Sequence, residues 1–215
     1  MDADTTEGKN AHEEIIDAFS HGEADILIGT QMIVKGHDFP NVTLVGILAA
    51  DLSLLVPDYR SSERTFELLT QAEGRAGRRG TRGECVVQTY TPEHYAIQAA
   101  ISQDFEAFYE NEKLYRQQMN YPPYGYFMGI RVFGPNQDAS FLAISKLKDR
   151  LAERFSGVRF LGPCEDSPYK VKDQYRFVCF FKTKTLSELL SVKQGAETLF
   201  EEELKTKTLF MTIEN

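Results

Sequence analysis

Apolar positions follow two different rhythms along this chain, and the change falls near its middle. Ile15, Ile16 and Phe19 form the apolar face of a helix over about 11–21, with Asn10 and Glu13 as a capping pair and Gly22 as its stop. A short apolar run at 25–29 and a longer one at 42–50 read as buried strands on either side of the polar loop Lys35-Gly36-His37-Asp38-Phe39-Pro40. A helix is predicted over 62–74 and a further strand over 84–90. This alternation predicts parallel strands and an α/β unit over 1–90. Thr91-Pro92 then opens a helical stretch carried by Ile97, Ile101, Phe105 and Phe108, with a break at 102–104, and it reads as a connector.

Tyr121-Pro122-Pro123-Tyr124-Gly125 cannot continue that helix, because a proline lacks an N–H and disfavours helix in the residue before it. The domain boundary is placed there, with 91–124 as helical connector and proline-rich linker and 125–215 as a second domain. Beyond the linker the pattern predicts a strand at 126–133, a helix at about 138–155 and strands at 158–161 and 175–182. A helix at about 186–204, with a capping box of Thr185 and Glu188, and a strand at 208–213 complete it. The order β-α-β-β-α-β is the ferredoxin-like arrangement, an α+β fold with two helices on one face of an antiparallel sheet.

Composition adds limits to this picture. With 42% apolar and 12% aromatic residues the chain can build two cores. Against 24 basic residues stand 32 acidic ones, a formal charge of -8, so any contact with nucleic acid is local. Cys85, Cys164 and Cys179 are far apart and lie at no metal-ligand spacing, so they read as plain buried thiols. No apolar run reaches the roughly 20 residues of a membrane span, and the N-terminus has no signal-peptide pattern, so the expectation is no membrane and a cytoplasmic location.

The densest chemistry lies in Gln71-Ala72-Glu73-Gly74-Arg75-Ala76-Gly77-Arg78. If the helix continues, the spacing of 71, 75 and 78 puts an amide and two guanidiniums on one stripe, and the glycines leave room for another surface. Forked, charge-assisted donors of this kind suit a phosphate held elsewhere. The plain alternative is a solvated basic helix end that complements the dipole.

The spacing resembles the sixth motif of superfamily 2 helicases, Gln-x-x-Gly-Arg-x-Gly-Arg, and matches it at every fixed position. Upstream, Gly29-Thr30-Gln31 with Lys35-Gly36-His37-Asp38-Phe39-Pro40 is similar to the fifth motif. Pro57-Asp58-Tyr59-Arg60, Glu63-Arg64, Tyr121-Pro122-Pro123-Tyr124, Leu161-Gly162-Pro163 and Tyr175-Arg176 extend the likeness over nearly the whole chain, to the primosomal protein N′ (PriA) family of replication-restart helicases. The resemblance implies a partial second RecA-like lobe at 1–90, with Arg75 and Arg78 at the γ-phosphate of ATP. It also implies that Gln71 meets the nucleotide or the first lobe, that Gly36 and Asp38 link the nucleotide cleft to DNA-facing loops, and that Thr30 meets a DNA phosphate. His37 is a further candidate for nucleotide or DNA, with packing as the equal alternative.

There is no GxxxxGK[ST] loop in the sequence, so the phosphate cradle, the Mg²⁺ carboxylate and the family's cysteine-rich zinc module are expected in segments that precede this one. The chain is accordingly expected to be inactive as an ATPase alone. Lys170, Lys172, Arg176, Lys182 and Lys184 lie on and before one strand, either as a solubility device or as a basic face. For that domain the family implies branched or forked DNA and the acidic tail of single-stranded DNA-binding protein as partners, beside other primosome proteins. Lys170, Lys172 and above all Arg176 are the candidates. The Tyr and Phe residues form no stripe that suggests a base-stacking platform. The competing reading is a non-catalytic adaptor for DNA or protein with a relic helicase lobe, against which the retention of both Arg75 and Arg78 argues.

Overall fold

The computed structural model describes residues 11–30, 39, 41–56, 58–76 and 83–214. They divide into two compact units, Met1–Lys113 and Leu114–Asn215.

In the first unit, helix α1 (Ala11–Ser20) ends as its sequence predicts. Gly22 takes φ +77°, its N–H donates to the Phe19 carbonyl at 3.2 Å, and that of Glu23 donates to Ala18 at 2.9 Å. This is the paired closure that a left-handed glycine permits. Strands β1 (Leu44–Ile47) and β2 (Glu84–Val87) pair in parallel, as the alternation of elements implied, with Leu44 opposite Glu84 and Ile47 opposite Val87. Helix α2 (Ser61–Glu73) and helix α3 (Tyr95–Ile101) pack together, and α4 (Phe105–Met119) follows after a break at Ser102.

Three expectations change here. Residues 25–29 form no strand: Ile26 and Ile28 are 77% and 76% exposed, and among the described residues β1 has β2 as its ladder partner. An apolar run becomes a strand only where another strand accepts its backbone bonds. Secondly, α3 is no connector. Ala96, Ile97 and Ala100 are buried to 1% or less and share a core with Phe66, Leu69 and Phe108, because the small alanine side chains let α3 approach α2 closely. Thirdly, the units divide at Lys113/Leu114, within α4, and not at the proline-rich segment.

In the second unit β3 (Tyr126–Gly134), α5 (Gln137–Arg154), β4 (Arg159–Val171), β5 (Gln174–Thr183), α6 (Leu186–Leu199) and β6 (Phe210–Glu214) follow the predicted β-α-β-β-α-β order. The sheet order is β4-β5-β3-β6 with every neighbour antiparallel, the ferredoxin-like fold. Ile130 and Val132 of β3 meet Phe177, Cys179 and Phe181 of β5 beneath the apolar faces of α5 and α6. Asn136 caps α5 by accepting from the Ala139 N–H at 2.9 Å, and the Thr185–Glu188 capping box opens α6. One wide turn, Phe200–Leu204, takes over where α6 was expected to run on.

Strand β4 runs to Val171, ten residues past its predicted end at 161. It lies at the sheet edge, where Pro163 and Pro168 remove no ladder donor, and its register slips between Leu161 and Cys164 and between Glu165 and Lys170. Lys172 and Asp173, at φ +48° and +59°, make the two-residue turn into β5. The segment before β3 is part of this unit. The Tyr121 ring packs edge-on against Phe127 at 5.4 Å, and the Lys182 ammonium lies 3.2 Å above the Tyr121 centroid while donating to the Met119 carbonyl at 3.0 Å.

Candidate functional site

Helix α2 is the rod on which the expected phosphate-facing residues are mounted. Thr65, Phe66, Leu69 and Ala72 recur at helical spacing and are all buried. The hydroxyl of Thr65, fully buried, donates to the Ser61 carbonyl at 2.8 Å and meets the Ser53 hydroxyl at 2.7 Å. That burial holds the opposite, exposed face in place, and Gln71 stands on it.

The helix ends at Glu73, two residues before Arg75, so the single stripe through 71, 75 and 78 is not realised as an unbroken helix. Tighter turns take over, with the Arg75 N–H donating to Ala72 at 3.0 Å and that of Ala76 to Glu73 at 3.1 Å. Glycine is a poor helix former, and its place at 74 is where the i to i−4 ladder stops. A Cβ there would meet only ordinary contacts, 3.5 Å from the Thr70 carbonyl oxygen. Among the described residues nothing therefore demands glycine at 74. Arg75 is half-buried and Thr30 is exposed on a bend. Gly36, His37, Asp38 and Arg78 lie outside the described residues. Of the expected nucleotide contacts, Gln71 and Arg75 are thus the ones among the described residues.

Asp51 was not singled out in the sequence, yet it braces the ends of both parallel strands. From the 3-10 turn Ala50–Ser53 after β1, its carboxylate accepts from the Thr89 hydroxyl at 2.7 Å and the Tyr90 N–H at 2.9 Å. It also accepts from the Thr91 hydroxyl at 2.5 Å and the Thr91 N–H at 3.2 Å. These bonds draw 89–91 away from the ladder, which is why β2 stops at Val87 and not at 90. The Thr91 hydroxyl, then the Thr89 hydroxyl and the Tyr90 N–H, hold the Asp51 carboxyl far below the usual carboxylate range. An acid directly after a buried strand, with Thr-x-Thr after its neighbour, is the signal that would have found it. Asp51→Asn will leave the fold intact but speed amide exchange at Tyr90 and Thr91 by roughly tenfold or more, because a charged acceptor is lost. Unchanged protection in a hydrogen-exchange measurement would remove the brace.

A second carboxylate organises the N-terminal end of α2. Asp58 receives the Arg60 N–H at 2.9 Å, the Arg60 guanidinium at 3.2 Å and the Arg64 guanidinium at 2.9 Å. Burial pushes its pKa up, but the Arg60 N–H and the two guanidiniums outweigh it and the net shift is downward. These three residues belong to the segments Pro57-Asp58-Tyr59-Arg60 and Glu63-Arg64 that carry the family likeness.

The basic candidates of the second unit do not form one patch. Lys170 pairs with Asp173 at 3.0 Å and lies 4.9 Å above the Tyr175 ring, and Lys172 is exposed in the hairpin turn. Arg176 pairs at 3.1 Å with Asp166, a carboxylate only 8% exposed that Arg131 also holds at 3.1 Å. Lys182 is buried and leaves the expected basic face altogether. Cys164 is exposed and Cys85 half-buried, so neither is the buried thiol its spacing suggested, whereas Cys179 is buried and pushed up to about 12. Among the described residues no His, Cys, Asp or Glu group could hold a metal ion, and no helix is long and apolar enough to cross a membrane.

Comparison with known proteins agrees with this division. Residues 3–80 match the helicase conserved C-terminal domain, and residues 117–212 match the primosomal protein N C-terminal domain. Replication restart protein PriA of Bacillus subtilis is 42% identical over 215 residues, which cover 100% of this chain and 27% of that protein. The protein of the same name from Synechocystis is 41% identical over 201 residues, covering 90% of this chain and 24% of its own length. That of Chlamydia trachomatis is 36% identical over 210 residues, covering 96% and 27%. The chain spans about a quarter of the length of these relatives.

Proposed function

Because the chain belongs to the replication restart PriA family and matches its C-terminal region, we propose that it supplies the second-lobe face of an ATP-dependent superfamily 2 DNA helicase acting at stalled forks. The observation that carries the reading is the complete match of Gln71 to Arg78 to the sixth helicase motif, with Arg75 set at the end of a helix whose other face is anchored in the core.

In this reading Arg75 and Arg78 act on charge that develops at the γ-phosphate, and Gln71 contacts the nucleotide or the facing lobe. Arg75 suits this role, because it follows a helix anchored in the core, and a guanidinium there offers forked donors. ATP with Mg²⁺ would supply the transferable phosphoryl group and its counter-charge. Gly36 and Asp38 couple that cleft to the DNA-facing Thr30 and His37. Zinc belongs to a module of the complete protein. Branched or forked DNA, single-stranded DNA-binding protein and other primosome proteins are the partners, and Lys170, Lys172 and Arg176 contribute cations in the second unit. Arg176 can do so while bound to Asp166, since a guanidinium has five donors and the ion pair uses only part of them.

The test has two arms. The chain alone will show no DNA-stimulated ATPase, and turnover above background would overturn the division of labour. Placed in the Bacillus subtilis relative in exchange for the matching segment, it will restore the ATPase that the relative loses when that segment is deleted. A chimera that binds DNA but does not hydrolyse ATP would instead favour the adaptor.

A further inference from the structure

Helices α5 and α6 cover one face of the second unit's sheet, and the other face carries an unusual set of side chains. Because side chains alternate, Phe127, Gly129, Arg131 and Phe133 of β3 point away from the core that holds Ile130 and Val132. Register sets Phe180 beside Gly129, Val178 beside Arg131 and Arg176 beside Phe133, with Phe210 of β6 on the far side of Phe133. The sequence hides this face, since each of its rings alternates with a core residue.

Three features give the face its chemistry. The Phe180 ring lies across Gly129, where an added Cβ would stand 3.1 Å from the ring, so the absent side chain lets an aromatic ring lie flat on the sheet. Phe127 and Phe180 are near-parallel at 5.1 Å and 16°, and Phe133 and Phe210 at 5.7 Å and 21°, with Phe210 47% exposed. Between the aromatic rows sits Arg131, which with Arg176 shares the Asp166 carboxylate. Arg131, Arg159 and Arg176 oppose Asp166 and Glu214 on this face, a local excess of positive charge on a chain whose formal charge is -8. Tyr121 covers the end at Phe127 and Lys182, which leaves Phe180, Phe133 and Phe210 with the two arginines as the accessible part.

Flat rings alternating with guanidiniums match the alternation of base and phosphate in a single strand. We infer that the helix-free face of the second unit is a stacking platform for unpaired nucleic-acid bases, with Phe180, Phe133 and Phe210 under the bases and Arg131 and Arg176 toward the backbone. A duplex keeps its bases stacked on each other and cannot use these rings. The inference rests on the nucleic-acid reading above and assigns it a place and a strand state.

Titration of a fluorescein-labelled twelve-residue oligothymidylate with the whole chain at low salt tests it, beside a duplex of equal length. The single strand will bind at least tenfold tighter than the duplex. Phe210→Leu and Phe180→Leu will each weaken it by about tenfold, the scale of one lost base–aromatic stack, and Phe210→Tyr will retain it. Arg131→Gln will lower the slope of log affinity against log salt by about 0.7, one single-strand phosphate contact. Because Phe210 is only about half covered, its leucine variant stays folded, which an unchanged thermal transition verifies. Equal or tighter duplex binding, no single-strand binding, or binding indifferent to both leucine variants overturns the platform. Capture of an acidic peptide on these rings without any oligonucleotide binding would give the face to a protein and also overturn it. If the platform fails while the chimera still hydrolyses ATP, the helicase reading stands; if both fail, it falls with the platform.

Discussion

Arg75→Ala, in the Bacillus subtilis relative that carries this chain in place of its own segment, will lower DNA-stimulated ATP turnover by about a thousandfold or more while leaving nucleotide affinity nearly unchanged. The split between the two quantities is what identifies the residue. A guanidinium that meets the γ-phosphate only as charge develops there stabilises the transition state and not the ground state, so kcat falls and binding does not. The plain alternative makes a different prediction. As a cation at the C-terminal end of α2, Arg75 would contribute about 0.3–1 kcal/mol to stability through the helix dipole, and its loss would leave turnover intact. Arg75→Lys separates charge from geometry, because the ammonium keeps the charge and loses the fork; it will recover only part of the rate. Arg78→Ala is expected to behave like Arg75→Ala. If either alanine variant hydrolyses ATP at the normal rate, that arginine is no finger.

What the sequence displayed well was local. Gly22 and the pair Thr185–Glu188 act on backbone within a few residues, and the structure uses both as expected. The β-α-β-β-α-β order was legible for the same reason, since each element carries its own period. Features that depend on distant neighbours were hidden. The run at 25–29 has strand composition but no ladder partner among the described residues, and composition cannot supply one. Strand β4 runs on past 161 through Pro163 and Pro168, which its edge position makes tolerable. Asp51 became visible when β1 and β2 paired and brought residues 38 to 40 positions apart onto one carboxylate. The basic cluster was misjudged in the opposite direction: a strand reading puts Arg176 and Lys182 on one face, but burial and the partners of each side chain decide whether that face is charged.

The chain cut before Leu114 will give a stable second unit, and the same unit cut before Tyr126 will be less stable by about 2–3 kcal/mol, the scale of burying one large apolar side chain with a desolvated cation–π contact. The proline-rich segment reads as a linker whose removal breaks no strand pairing, and indeed it breaks none. It does strip Tyr121 from Phe127 and from the Lys182 ammonium, and it takes away the Met119 carbonyl to which that ammonium donates. The loss is moderated because Lys182 then regains water. Its pKa in the intact unit is pushed down to about 8, first by burial and then by the nearby Arg159. In the unfolded chain it returns to about 10.4, so between these values the unfolded state binds more protons and stability rises with pH. Cys179, pushed up to about 12 by burial, works the other way above its ordinary pKa, but both fragments contain it and it cancels in their difference. The advantage of the longer fragment in urea unfolding will therefore grow from pH 7 to pH 9.5, with the shorter one keeping only the smaller part that Arg159 contributes. Coincident unfolding midpoints at both pH values would show that 114–125 is a linker after all.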